Sequence, residues 1–164
     1  MTTGQKTKRL QQTVLLALSM AALAVTFVLS GCAEPAGSGV GVSIPIVNIT
    51  CTTTRCKSGA PARAFLTYTT SGCTAPAFGE KVAGSTSLSC NVTGCSGSIT
   101  SFSDSSGSSA NTIPSGFYDI CVTLDFNSNY IGSAVPGEDA TGSRTSVSVS
   151  GATLSQSVTS FTDL

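Results

Sequence analysis

The sequence predicts an all-β domain, an antiparallel β-sandwich of about seven strands braced by disulfides, and two observations carry that prediction. The first is periodicity. In Gly116 to Phe126, the residues Tyr118, Ile120, Val122, Leu124 and Phe126 alternate with Asp119, Cys121, Thr123 and Asp125. A strand repeats every two residues, so this run has one apolar and one polar face, the pattern of a half-buried strand. Weaker runs of the same kind lie at Ile44 to Thr50, Ala62 to Thr70, Ser85 to Val92, Ser96 to Phe102, Arg144 to Ser150 and Ala152 to Phe161. Turn formers separate them, which suits an antiparallel sandwich better than a parallel sheet. Ser150-Gly151 reads as a hairpin turn between the last two runs. No segment after Cys32 shows a helical period. The second observation is composition: seven cysteines, no histidine and only 10% charged residues.

The first 31 residues read as a signal peptide. Lys6, Lys8 and Arg9 precede an uncharged, largely apolar run from Val14 to Val28, the charged and apolar regions of a secretory signal. The run is shorter than the roughly 20 residues needed to cross a bilayer's hydrocarbon core. It ends at Leu29-Ser30-Gly31-Cys32, which resembles the lipobox of bacterial lipoproteins. That resemblance implies cleavage before Cys32, acylation of its sulfur and, in many bacteria, a further chain on its amine. Two or three acyl chains make a stable anchor where one is marginal. Ala33 follows, where an Asp would resemble the inner-membrane retention signal, so the expected location is the cell envelope, lipid-anchored at the outer membrane. Residues 32–43 form a tether rich in Gly, Pro, Ala and Ser, and residues 44–164 a single domain.

With Cys32 given to lipid, Cys51, Cys56, Cys73, Cys90, Cys95 and Cys121 remain, an even set in an exported chain and hence a disulfide framework. Six cysteines allow fifteen pairings, and the sequence does not choose among them. The short spacings of Cys51/Cys56 and Cys90/Cys95 favour two local bridges, with a long one joining Cys73 to Cys121. Zinc is the competing use of two close pairs, but the chain has no histidine and the signal sends it where thiols oxidise.

The exported part carries five basic residues, Arg55, Lys57, Arg63, Lys81 and Arg144, against eight acidic ones, a net charge of −3. This excludes the basic footprint of a nucleic-acid binder. Absence of histidine removes Ser-His-Asp and Cys-His arrangements and the zinc-protease helix. No serine sits in a Gly-x-Ser-x-Gly elbow. Asp119 and Asp125 share a strand face about 20 Å apart, too far for a paired-carboxylate mechanism. No catalytic role is expected. Asn48-Ile49-Thr50 and Asn91-Val92-Thr93 match the glycosylation sequon and read as chance matches in a bacterial lipoprotein.

Ile113-Pro114-Ser115-Gly116-Phe117-Tyr118, then Asp125-Phe126-Asn127-Ser128-Asn129 and Pro136-Gly137-Glu138, resemble the transthyretin-like or prealbumin-like sandwiches of surface proteins, an architecture close to the immunoglobulin-like one. In those domains a Pro-x-Gly-x-Tyr turn opens a core strand that often ends in an Asp-x-Asn-x-Asn loop and a Gly-Glu. The match spans about 50 residues, and Tyr130 stands where a Gly would normally follow the second Asn. Independently of that likeness, Asp125, Asn127 and Asn129 set oxygen ligands at alternate positions and Glu138 offers a second carboxylate, a pattern suited to calcium. Tyr130 and Pro136 occupy the places that a full calcium loop gives to Gly and Glu, and Asp and Asn are also good turn formers.

Two functional classes remain. One is a non-catalytic binding or structural module of the envelope whose partner is a protein or a glycan. The other is an inhibitor of a protease or lysozyme holding a rigid loop, for which Ser103 to Asn111 and Asn127 to Gly142 are the polar candidates and Tyr130 or Arg144 the anchors. Flexible Ser/Gly composition argues against the first loop.

Overall fold

The computed structural model describes residues 41–74, 76–151 and 155–164; the signal peptide, Cys32 and residues 33–40 of the tether lie outside them. The strands are β1 (Gly41–Ser43), β2 (Ile46–Cys51), β3 (Ala62–Thr69), β4 (Glu80–Asn91), β5 (Gly94–Ile99) and β6 (Phe102–Ser103). They continue with β7 (Ser109–Ala110), β8 (Thr112–Pro114), β9 (Gly116–Asp125), β10 (Ala140–Val149), β11 (Ser155–Val158) and β12 (Phe161–Asp163). Two 3-10 turns, Cys56–Ser58 and Pro76–Gly79, are the helical elements among the described residues.

The all-β class and the disulfide bracing stand. The pairing is richer than seven antiparallel strands. One sheet runs β11-β2-β5-β4-β3-β9-β10-β12, with β6 paired to β4 and β7 to β6, and β1 pairs separately with β8. β4 joins the two halves of this sheet: residues 80–88 pair with β3 and residues 89–91 with β5. The far ends approach one another, because the Asp163 carboxylate on β12 accepts hydrogen bonds from the Thr53 hydroxyl (2.6 Å) and the Arg55 amide (3.1 Å) just beyond β2. The sheet thereby curls toward closure, which protects its edges.

Two expectations are corrected. Ser150-Gly151 does not turn a hairpin, because β10 pairs with β9 and β12 while β11 runs parallel to β2. Gly151, at a φ of 81°, lets the chain leave the sheet. Gln156 and Val158 then bury their side chains on the β2 edge, beside Val47 and Ile49. The tether is also shorter than expected, since Gly41–Ser43 pairs with Thr112–Pro114 and the Ile44 amide bonds the Asn111 carbonyl at 3.2 Å. Small residues gave β1 no apolar period, and its partner strand alone makes it a strand.

The core is the inward alternation of these strands. Tyr118, Ile120, Val122 and Leu124 of β9 are buried, as are Ala64, Leu66 and Tyr68 of β3 and Val47 and Ile49 of β2. Phe126, expected on the same face, is partly buried against the core. Tyr68 is its largest fully buried side chain. Its hydroxyl donates to the Pro45 carbonyl at 2.9 Å, and its ring meets Phe102 and Tyr118 edge-on at 5.9 and 6.3 Å. A buried phenol needs such a partner, or its lost hydration goes uncompensated. Gly142 shows the same tightness at the edge: a Cβ there would lie 2.6 Å from the Phe161 ring and 2.8 Å from the Ser160 carbonyl, so only glycine lets Phe161 lie across its partner strand.

The disulfides are Cys51–Cys56 and Cys90–Cys95, the local pairs that spacing favoured, and Cys73–Cys121, the long bridge expected of the remaining two. Cys51–Cys56 closes the turn after β2. Cys90 and Cys95 are register partners that pin the β4–β5 hairpin. Cys73–Cys121 spans 48 residues and ties the connection before β4 to the outward face of β9. On the chain-entropy relation this long loop contributes about 4 kcal/mol and each short loop about 2 kcal/mol. Urea unfolding should therefore show the Cys73→Ser/Cys121→Ser variant losing about twice the stability lost by either local pair of serine substitutions; equal losses would contradict the entropic ranking.

Candidate functional site

The site is built outward from Asp125, the last residue of β9. Its side chain lies on the outward face, in register with Arg63 of β3, and is nevertheless buried. The reason is the following loop, which closes over it. Asp125 Oδ1 accepts the amides of Asn127 (3.0 Å) and Asn129 (3.4 Å), and Oδ2 accepts the amide of Tyr130 (3.2 Å). A short carboxylate bonding the backbone two and more residues on is the usual device of an Asp-initiated turn, and Ser128 takes the left-handed conformation the turn requires, at a φ of 60°.

The consequence is the position of Tyr130. Its ring is stacked on Phe65 of β3, with centroids 4.0 Å apart and planes inclined by 16°. The Arg63 guanidinium carbon lies 5.2 Å from the Phe65 centroid, a cation–π distance, and Arg63 Nη2 donates to the Ser85 hydroxyl at 3.1 Å. Phe65 and Ser85 are register partners on β3 and β4. Beside this stack is an open groove of about 360 Å³, lined by Phe65 and Tyr130 and by the polar side chains of Thr67, Glu80, Ser85 and Ser103. Burial, and then the negative charges of Glu80 and Asp139, push the Tyr130 hydroxyl above its ordinary pKa.

The four residues expected to ligate calcium are brought to one loop, but their bonds are internal to it. Asp125 is engaged by three amides, and Asn129 Nδ2 donates to Glu138 Oε2. Asn129 thus turns its side-chain nitrogen toward the Glu138 carboxylate. Among the described residues no group of three or more His, Cys, Asp and Glu side chains is placed to hold a metal. Sequence reasoning passed over Asp139, the neighbour of Glu138. It is fully buried; Oδ2 accepts the Val135 amide at 2.7 Å, while Oδ1 has no hydrogen-bond partner. Its backbone also meets the chain end, since the Leu164 amide bonds the Asp139 carbonyl at 3.0 Å.

The other expectations resolve as follows. Ser103 to Asn111 is ordered by its own acid: Asp104 Oδ1 accepts the amides of Ser106 (2.9 Å) and Ser108 (3.0 Å) and the Ser106 hydroxyl (2.6 Å). Tyr130 lies stacked on Phe65 of β3. Arg144 is exposed and reaches the Ser157 carbonyl at 3.5 Å. Phe65 was the residue missed. It alternates correctly within its strand, but nothing local says that an outward Phe will be capped by a tyrosine 65 positions later. Comparison with family models, curated proteins and solved structures finds no match to this chain.

Two outcomes test this geometry. Asp125→Ala leaves three loop amides without their acceptor and should cost about 1–3 kcal/mol, with loss of the Phe65–Tyr130 ring-current shifts in the NMR spectrum; retained shifts would show that the carboxylate does not seat the ring. All three tyrosines, Tyr68, Tyr118 and Tyr130, have pKa values raised first by burial. The unfolded chain releases these protons near pH 10 while the fold retains them, so stability is full below about pH 10 and falls as pH rises above it. Ultraviolet titration of the folded protein should place the phenolate midpoints above the ordinary one near pH 10; midpoints at the ordinary value would contradict the burial.

Proposed function

We propose that this chain is an exported lipoprotein, anchored at the outer membrane through acyl chains on Cys32, whose β-domain is a non-catalytic binding module presenting the Tyr130 groove to an envelope or extracellular ligand. The anchoring rests on the lipobox-like Leu29-Ser30-Gly31-Cys32 and the charged and apolar segments before it. The curled sheet is read as a disulfide-braced sandwich, its two halves joined through β4. The observation that carries the binding role is the preorganised stack of Arg63, Phe65 and Tyr130 beside a groove with polar walls. Convergent polar groups around an aromatic surface are the ordinary make-up of a ligand site. Phe65 and Tyr130 are half-buried, and aromatic side chains of this kind are where binding energy concentrates. Rigidity supports the same reading, because a loop already fixed by Asp125 loses little freedom on binding.

The tether limits where the domain lies. From Cys32 to the first paired residue, Gly41, the chain reaches at most about 30 Å, so an anchored Cys32 would hold the start of the domain within that distance of the membrane. Intact-mass analysis of the native protein should give a chain beginning at Cys32 with two or three acyl groups and six oxidised cysteines, and Cys32→Ser should move the protein out of the membrane fraction. An unprocessed N-terminus, or membrane association that survives Cys32→Ser, would refute the anchoring.

A further inference from the structure

The hydrogen-bonding inventory of the groove narrows its ligand. Among the lining side chains the Glu80 carboxylate accepts and the hydroxyls of Thr67, Ser85 and Ser103 both donate and accept, while the Arg63 guanidinium, outside the lining, donates to Ser85 and brings a positive charge beside that wall. A ligand ammonium would suit Glu80 but bring a like charge toward Arg63, which flanks the groove at Phe65 and Ser85. A ligand carboxylate or phosphate would face Glu80, the charged residue of the lining. Only a neutral group that both donates and accepts, at several points, satisfies this wall without a like-charge contact. The rings of Phe65 and Tyr130 add an aromatic surface whose electron-rich faces attract weakly positive C–H groups. A volume of about 360 Å³ is at the small end of the range for small-ligand pockets, roughly 300–1,000 Å³.

From this combination we propose that the groove between Tyr130, Phe65 and Glu80 binds a neutral pyranose unit of a glycan. The sugar lays its C–H face on the aromatic stack and directs its hydroxyls to Glu80, Ser85 and Ser103. The inference rests on the binding-module reading and adds the chemical class of the ligand. An open groove of this size gives weak contact with one sugar ring, and repeated units along a polymer would supply avidity.

The test uses the purified full-length native protein in a detergent without a sugar headgroup. It is titrated, by ligand-observed NMR and calorimetry, with neutral trisaccharides (cellotriose, maltotriose, N-acetylchitotriose), a cationic one (chitotriose) and an anionic one (trigalacturonate). At least one neutral trisaccharide should bind saturably with a Kd in the millimolar range. Tyr130→Ala and Glu80→Gln should each weaken that binding by about tenfold or more. Tyr130→Phe should retain most of it, and Arg144→Ala, remote from the groove, all of it. Near-ultraviolet circular dichroism of each variant separates a lost contact from a lost fold. Failure of every neutral trisaccharide, or binding indifferent to both Tyr130→Ala and Glu80→Gln, overturns the proposal. Binding of only a charged trisaccharide that Tyr130→Ala abolishes overturns the neutral class and leaves the binding module standing. If no sugar binds, the pyranose proposal falls. A photo-crosslinker at the exposed Ile131 then reports whether the module still engages an envelope partner.

Discussion

Burial of one face of β9 is the interaction on which the rest of this domain depends. Tyr118, Ile120, Val122 and Leu124 are all within the core, and removing each such side chain from water is worth about 2 kcal/mol. Flanked by β3 and β10, β9 is a central strand of the sheet. Its outward face is then put to two separate uses. Cys121 receives the long disulfide from Cys73, and Asp125 organises the loop that carries Tyr130. Core, covalent brace and candidate site therefore share one strand, and each depends on its register.

The outward face of β9 was expected to be wet, and half of it is covered. Asp125 is 3% exposed and Cys121 9%. The physical cause is that a short-charge, serine-rich chain has little apolar surface to spare, so covalent bonds and side-chain-to-backbone bonds do what extra core would do in a larger domain. Asp104 and Asp125 each gather the amides of the loop that follows, and Asp163 clasps the turn after β2. Three acids thus act on the backbone before they act on any ligand. Asp125 thus holds the loop by its backbone, and the stack on Phe65 gives Tyr130 a structural reason to be an aromatic residue.

Most long strands were legible because their residues alternate: Ala62–Thr69, Gly116–Asp125 and Ile46–Cys51 lie where period-two apolar runs lie. The beginning of β4 was not, since Glu80 to Gly84 has no alternation of large apolar residues and is made a strand by pairing with β3. The short strands β6, β7 and β8 are likewise products of their partners. For the site, Asp125, Asn129 and Glu138 were legible as a group through turn chemistry and spacing, whereas Phe65, Glu80 and Asp139 were not. Their relevance is a matter of proximity, which no local pattern carries.

What the residues determined on their own is short-range or compositional: β-structure from alternation, a preference for local bridges between close cysteines, loop-forming acids, and the absence of histidine. Tertiary structure alone decided the parallel seating of β11 on β2, the passage of β4 through both halves of the sheet, and the meeting of Tyr130 with Phe65. The division has a plain cause. Alternation and turn propensity act over a few residues and are written in adjacent positions, while strand order and ring stacking are chosen by which buried surfaces fit once the whole chain has folded.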